Sequence, residues 1–157
     1  AFRKVSRPVA SWKYGVLAII ALLHDVLLVM GVFAVLGRYL GVEVDTAFVV
    51  AILTVLGYSV NDTIVVYDRI RENLLRRSSD NFPEVVNIGL NETLMRSINT
   101  TFKTLLPLIA LYFLGGFTIK YFSLALLIGI ASGAYSSIFI ASPLLVVVNN
   151  WRERKYA

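Results

Sequence analysis

Four apolar runs dominate this sequence, and the last of them most limits what the chain can become. Residues 122–148 contain no charged side chain over 27 positions, more than the roughly 20 apolar residues one helix needs to cross a bilayer. At about 1.5 Å per residue such a helix reaches ~40 Å, so it must tilt, bend or extend past the hydrocarbon. The earlier runs cover about 14–37, 46–67 and 93–114. The spacing therefore predicts an all-α polytopic membrane bundle of four transmembrane helices. Of the 157 residues 57% are apolar and 16% charged, against about 45–50% and 25% in soluble domains. Four spans use about 80 to 100 residues, which leaves no room for a second domain.

The connections differ in character. A short loop at 38–45 joins the first two runs, and a Gly-Gly turn with one lysine, 115–121, joins the last two. A long polar stretch, 68–92, lies between the second and third and reads as a loop. Within it, 83–90 has the pattern of a short interfacial helix turning Val85, Val86 and Leu90 toward lipid. Arg3, Lys4, Arg7 and Lys13 precede the first run, Arg69, Arg71, Arg76 and Arg77 follow the second, and Arg152, Arg154 and Lys155 end the chain. Only Arg38 and Lys120 fall on the other side. The excess of basic residues in cytoplasmic segments then predicts both ends of the chain in the cytoplasm, with 68–92 a cytoplasmic loop and 151–157 a basic tail. The first residues are no signal peptide, because the apolar run after them is far too long. They read as the middle of a longer chain.

Several kinds of chemistry are excluded. With no cysteine there is no thiolate site, and a single histidine, His24, argues against a zinc site or a Ser-His-Asp triad. Gly-rich phosphate-binding patterns are missing, and nothing points to hydrolysis or redox chemistry. The chain reads as a non-enzyme without metal or organic cofactor. Its net charge of +5 is explained by the cytoplasmic basic excess, and no nucleic-acid partner is implied. On the fourth run Gly129, Ser132, Gly133, Ser136 and Ser137 recur at helical spacing, the small-residue pattern that lets helix backbones approach in lipid. Pro107 and Pro143 are expected to kink their helices.

Charges inside the spans need a reason, since one at the bilayer centre costs roughly 2.5–3.5 kcal/mol on insertion scales. The candidates are Asp25, Asp62, Arg96 and Lys103. Asp62 lies about 16 residues, or ~24 Å, along its span, with Tyr58 and Ser59 at i−4 and i−3 on its face and Asn61 beside it. Arg96 enters the third span from the same side at comparable depth, so an Asp62–Arg96 pair on neighbouring antiparallel helices is expected. Such a pair is either a static strut or a proton site. Burial raises a carboxylate's proton affinity and a nearby guanidinium lowers it, so small changes in separation load or release a proton. Asp25 is either a second relay carboxylate or a buried polar residue bonded to a neighbouring helix. Lys103, seven residues after Arg96 with Thr100 between them, either lines the same seam or snorkels past it.

At residues 57–73 the chain reads GYSVNDTIVVYDRIREN. This segment resembles the signature of the SecF proteins of the SecD/SecF export family, part of the RND superfamily of proton-driven transporters. LLHDVLL at 22–28, ETLMRSINTT at 92–101, LYFLGG at 111–116 and FSLALLIGIASGAYSSIFIASPL at 122–144 extend the likeness over nearly the whole chain. The resemblance implies half of an RND-type transmembrane domain, its last four spans. Residues 1–13 would then be the cytoplasmic end of a preceding span, with two helices and a periplasmic domain lying upstream. It also implies a bacterial plasma (inner) membrane location, protons as the coupling ion, and passage of protons at Asp62 and Arg96 with a further Asp supplied by SecD. The partners implied are SecD, separate or fused, the SecY/SecE/SecG translocon and an unfolded polypeptide in transit. Lys103 departs from the family pattern as we read it. The alternatives are a scaffold subunit stabilising SecD and the translocon, and another RND member exporting lipid or drug.

Overall fold

The computed structural model describes residues 11–76 and 81–156. The expected end of a preceding span therefore falls almost wholly outside the described residues. Among them the chain forms helices α1 (Ser11–Leu40), α2 (Thr46–Arg76), α3 (Phe82–Leu114), α4 (Gly116–Ser136) and α5 (Ser142–Tyr156), with a π-helical turn, Ser137–Ala141, between the last two. Four stretches, Trp12–Leu40, Thr46–Arg76, Phe82–Leu114 and Ile119–Trp151, are long and apolar enough to cross a membrane. The expected all-α membrane bundle is what the chain folds into.

Local chemistry sets the helix ends. Gly41 adopts φ 65° after α1 and donates its N–H to Gly37 O at 3.1 Å, a left-handed stop that glycine adopts without strain. Asp45 caps α2, its Oδ1 accepting the Phe48 N–H at 3.0 Å. Pro83 sits in the first turn of α3, where its missing N–H costs nothing. Two glycines turn the chain from α3 into α4, with Gly116 at φ 72°, and a side chain on Gly115 would collide with Leu111 O. No loop of the expected length 115–121 exists, because α4 begins directly at Gly116.

The polar stretch 68–92 is another correction: most of it is helix. α2 runs on to Arg76, and the segment expected as a separate interfacial helix is the first part of α3. Charge here did not mean loop. Arg69 pairs with Glu72, and Glu72 with Arg76, along α2, while Arg69 and Asn73 both reach Glu92 on α3. Val85 and Val86 turn inward, and Gly89 lets α3 approach Ile70 so closely that a Cβ there would lie 2.9 Å from its Cγ1.

α4 occupies the middle of the bundle, touching α1, α2 and α3. Half of the most apolar window of Ile119–Trp151 is buried, against 17% for that of Phe82–Leu114. Gly129 and Gly133 make this possible: a Cβ on Gly129 would lie 2.2 Å from Val55 Cγ2, and one on Gly133 3.0 Å from Ser59 Cβ. Pro143 removes one helical N–H, and the π turn lies immediately before it, as expected where the ladder loses a donor.

The interior has two apolar cores. One gathers Tyr14, Leu17, Ala21, Tyr67, Ile70, Phe82, Val86 and Leu145 at the charged end of the bundle. The other gathers Val29, Phe33, Phe48, Val55, Leu108, Leu126 and Ile130 toward the opposite end. α1, α2, α3 and the fourth span, which begins with α4, each pass from one core to the other through polar residues. Asp25, Ser59, Thr63, Ser97, Thr101, Ser132 and Ser136 are all buried between them.

Candidate functional site: a polar layer between two apolar cores

Asp62, on the α3 side of α2, is half-buried. The Ser97 hydroxyl stands 2.7 Å from both of its carboxylate oxygens. Ile70 against Gly89 and Arg69 against Glu92 set the same antiparallel register, which brings Ser97 level with Asp62 and Arg96 closer to the charged end. Among the described residues no ion pair joins Asp62 to Arg96. The expected direct contact is absent because neighbouring helical residues point about 100° apart. With Ser97 aimed at α2, Arg96 swings to the open side of the α2–α3 groove and is exposed.

The two residues still share a chamber. A cavity of about 30 Å³ is lined by Asn61, Asp62, Val65, Thr93, Arg96, Ser97 and Thr100, among others, room for about one water. Beside it a cleft of about 510 Å³ runs along Asp68, Arg69, Glu72 and Glu92 toward the charged end. Val65, Thr93 and Arg96 belong to both. Arg96 therefore stands where the open cleft meets the chamber of Asp62.

The remaining expected residues divide. Asn61 and Thr100 line the chamber; Thr100 is exposed, and its hydroxyl bonds back to Arg96 O at 2.8 Å. Lys103 is exposed and lines neither cavity. Tyr58 packs against the second apolar core. Ser59 does not serve Asp62, as its i−3 spacing suggested. It faces α1 and donates to Asp25 Oδ2 at 2.5 Å.

Asp25 is fully buried and is the more elaborate of the two carboxylate sites. Ser136 Oγ also reaches its Oδ2 at 2.7 Å, Ser132 Oγ its Oδ1 at 3.0 Å, and His24 Nδ1 lies 3.2 Å from Oδ1. Polar groups from α1, α2 and α4 thus surround one side chain. The sequence marks Ser132 and Ser136 only as small packing residues. Their spacing of four, on the helix face that carries Gly129 and Gly133, is the one sign that two hydroxyls point the same way. Ser97 escapes notice altogether beside the more conspicuous Arg96.

Apolar helices around a polar layer that holds one buried and one half-buried carboxylate define a polytopic helical membrane protein with ionisable groups inside its bundle. The family described as "Protein export membrane protein SecD/SecF, C-terminal" matches residues 10–151, and the chain belongs to that family. It is 60% identical to the protein translocase subunit SecF of Thermobaculum terrenum over 99% of this chain and 47% of that protein. With SecF of Synechocystis sp. the identity is 54%, over 90% of this chain and 45% of the relative. The SecDF subunit of Thermus thermophilus is 45% identical over 93% of this chain and 19% of its own length. A crystal structure of SecDF in a super-membrane-facing form superposes with a TM-score of 0.85 at 43% identity, over 93% of this chain and 19% of that one. The chain thus spans about half the length of the SecF relatives it matches.

Proposed function

We propose that this chain is the membrane half of a SecF-like subunit that uses the proton-motive force to promote polypeptide export across a bacterial plasma membrane. The observation that carries this reading is the chamber at the end of the charged cleft. It holds Asp62 and Arg96 together without an ion pair between them, so the carboxylate has a hydroxyl partner and the guanidinium is free to approach or retreat. The resemblance to SecF and SecDF supplies the rest. SecD, fused or separate, adds a further carboxylate across the open face of α2 and α3. The SecY/SecE/SecG translocon receives the unfolded polypeptide. The charged end and both termini face the cytoplasm, and the role is transport, without enzymatic chemistry or cofactor.

In this mechanism a proton neutralises Asp62, weakens its attraction for Arg96 and allows α2 and α3 to shift. One elementary charge crossing the membrane carries ~2.3 kcal/mol per 100 mV, enough to bias helix arrangements that differ by a few kcal/mol. In the full-length protein, Asp62→Asn is expected to abolish the proton-force-dependent part of export while complex yield with SecD stays normal. Wild-type export by that variant would overturn the reading.

The Ser97–Asp62 contact favours a second reading, a scaffold in which Asp62 only ties α3 to α2. There Asp62→Asn and Arg96→Ala lower complex yield first, and export falls in proportion. Measuring yield and export rate on the same membranes separates the two.

A further inference from the structure

We propose that Asp25 is a second proton-binding site, distinct from Asp62 and built so that its charged and neutral forms are both fully hydrogen-bonded. A buried carboxylate that serves only as a strut is satisfied in one charge state; adding a proton to it leaves a donor without an acceptor. Asp25 is different because of Ser136. That hydroxyl lies 2.7 Å from Asp25 Oδ2 and 3.2 Å from the carbonyl of Gly133 on its own helix. With Asp25 ionised, Ser136 donates to Oδ2. With Asp25 protonated on Oδ2, Ser136 accepts the new O–H through a lone pair and turns its hydrogen to Gly133 O, an oxygen it shares with the N–H and hydroxyl of Ser137, the latter at 2.6 Å. Ser59 remains a donor to Oδ2 and Ser132 to Oδ1. No polar atom at the carboxyl group loses a partner in either state.

His24 extends this network to the outer face of α1. His24 has 39% of its side chain exposed, and its Nδ1 lies 3.2 Å from Asp25 Oδ1. Its outer side lines an apolar groove with Ile20, Leu23, Leu27 and Leu28, on the membrane-spanning part of α1. An imidazole takes a proton at one nitrogen and releases one at the other, so His24 joins the groove to a carboxylate that touches no solvent. Among the described residues His24 is the one titratable group bonded to Asp25. α2 and α4 offer it only the hydroxyls of Ser59, Ser132 and Ser136, while Asp62 and Arg96 line a chamber on the α2–α3 side.

The proton's arrival is read directly by span four. Ser136 immediately precedes the π turn Ser137–Ala141, whose far end is held by the Tyr67 hydroxyl on Ala141 O at 2.8 Å. A π turn is a local irregularity of the helix often found at functional sites. This one is also held by the hydroxyls of Ser137 on Gly133 O and Ser142 on Ser137 O, and the hydroxyl just before it is the one that changes partner with the charge of Asp25. The proposal does not require Asp62 to carry protons.

Difference infrared spectroscopy of the full-length protein in lipid vesicles, taken through a pH step, tests it. A carboxylic-acid C=O band is expected that disappears in Asp25→Asn and persists in Asp62→Asn. Ser136→Ala, a small change suited to a helix interior, keeps the test open if Asp25→Asn fails to fold. It is expected to displace the pH at which the band appears by about one unit, a tenfold change in proton concentration. No such band across the pH range where the protein stays folded, or a band unmoved by Ser136→Ala, would overturn the proposal.

Discussion

Ser97 and Arg96 are neighbours on α3, yet only the hydroxyl meets Asp62, while the guanidinium stands at the junction of cleft and chamber. That division gives the two side chains different tasks, and mutants distinguish them. Hydrogen bonds between helices in a membrane average about 0.6 kcal/mol, with a maximum near 1.7. Ser97→Ala is therefore expected to lower stability by about 1 kcal/mol, measured by unfolding in bicelles, with a similar or smaller loss in Thr100→Ala. Arg96→Ala removes an exposed side chain and should leave stability nearly unchanged. Depth and side of Asp62 and Arg96 are legible in the sequence, because they follow from distance along a helix. Their partners are not. The hydroxyls around Asp25 come from positions 34, 107 and 111 residues away, and only the tertiary register of α1, α2 and α4 brings them together.

For the elements, small residues decide how close α4 comes to α2. Gly129 lies where a Cβ would stand 2.2 Å from Val55 Cγ2 and 2.7 Å from its Cγ1, so even Gly129→Ala forces a buried valine or a helix to move. Overpacking of this kind costs typically about 1–3 kcal/mol. Gly133→Ala meets Ser59 Cβ at 3.0 Å and presses on the hydroxyl that serves Asp25. Both variants are expected to lower the thermal unfolding midpoint in detergent, and Gly57→Ala, with nothing within 4 Å, is expected to leave it unchanged. The Gly-x-x-x-Gly spacing is visible in the sequence, but the residue it meets is not. Charge at these helix ends does not mark a solvated loop: Arg69, Glu72, Arg76 and Glu92 are bound within and between α2 and α3 as those helices continue. A window scored by hydropathy stops where the apolar run stops, whereas a helix stops where its backbone loses support.

For the whole molecule, the distribution of basic residues makes a claim about orientation that labelling can test. These 157 residues contain no cysteine, so a single cysteine placed among them is the one thiol this segment presents. Glu43, between α1 and α2, and Glu84, at the start of α3, are both exposed and lie at opposite ends of the bundle. In right-side-out membranes, Glu43→Cys should react with an impermeant maleimide from the outside. Glu84→Cys should react only after the membrane is opened. The reverse pattern would invert the cytoplasmic assignment of the termini. Fold class is readable from composition and run length alone, because bilayer thickness dictates both. The separation of the interior into two cores is not, since it depends on which face of each helix turns inward.

That separation bears on how the protein is made. Helices enter a bilayer in the order they are synthesised, and α1 arrives carrying Asp25 when neither α2 nor α4 is present. Ser59 follows with the second span, but Ser132 and Ser136 are 107 and 111 residues downstream. Until they emerge, a lone acid in hydrocarbon makes the first span a poor resident of the lipid. The site around Asp25 is therefore completed only when a helix more than a hundred residues further along the chain has joined α1 and α2.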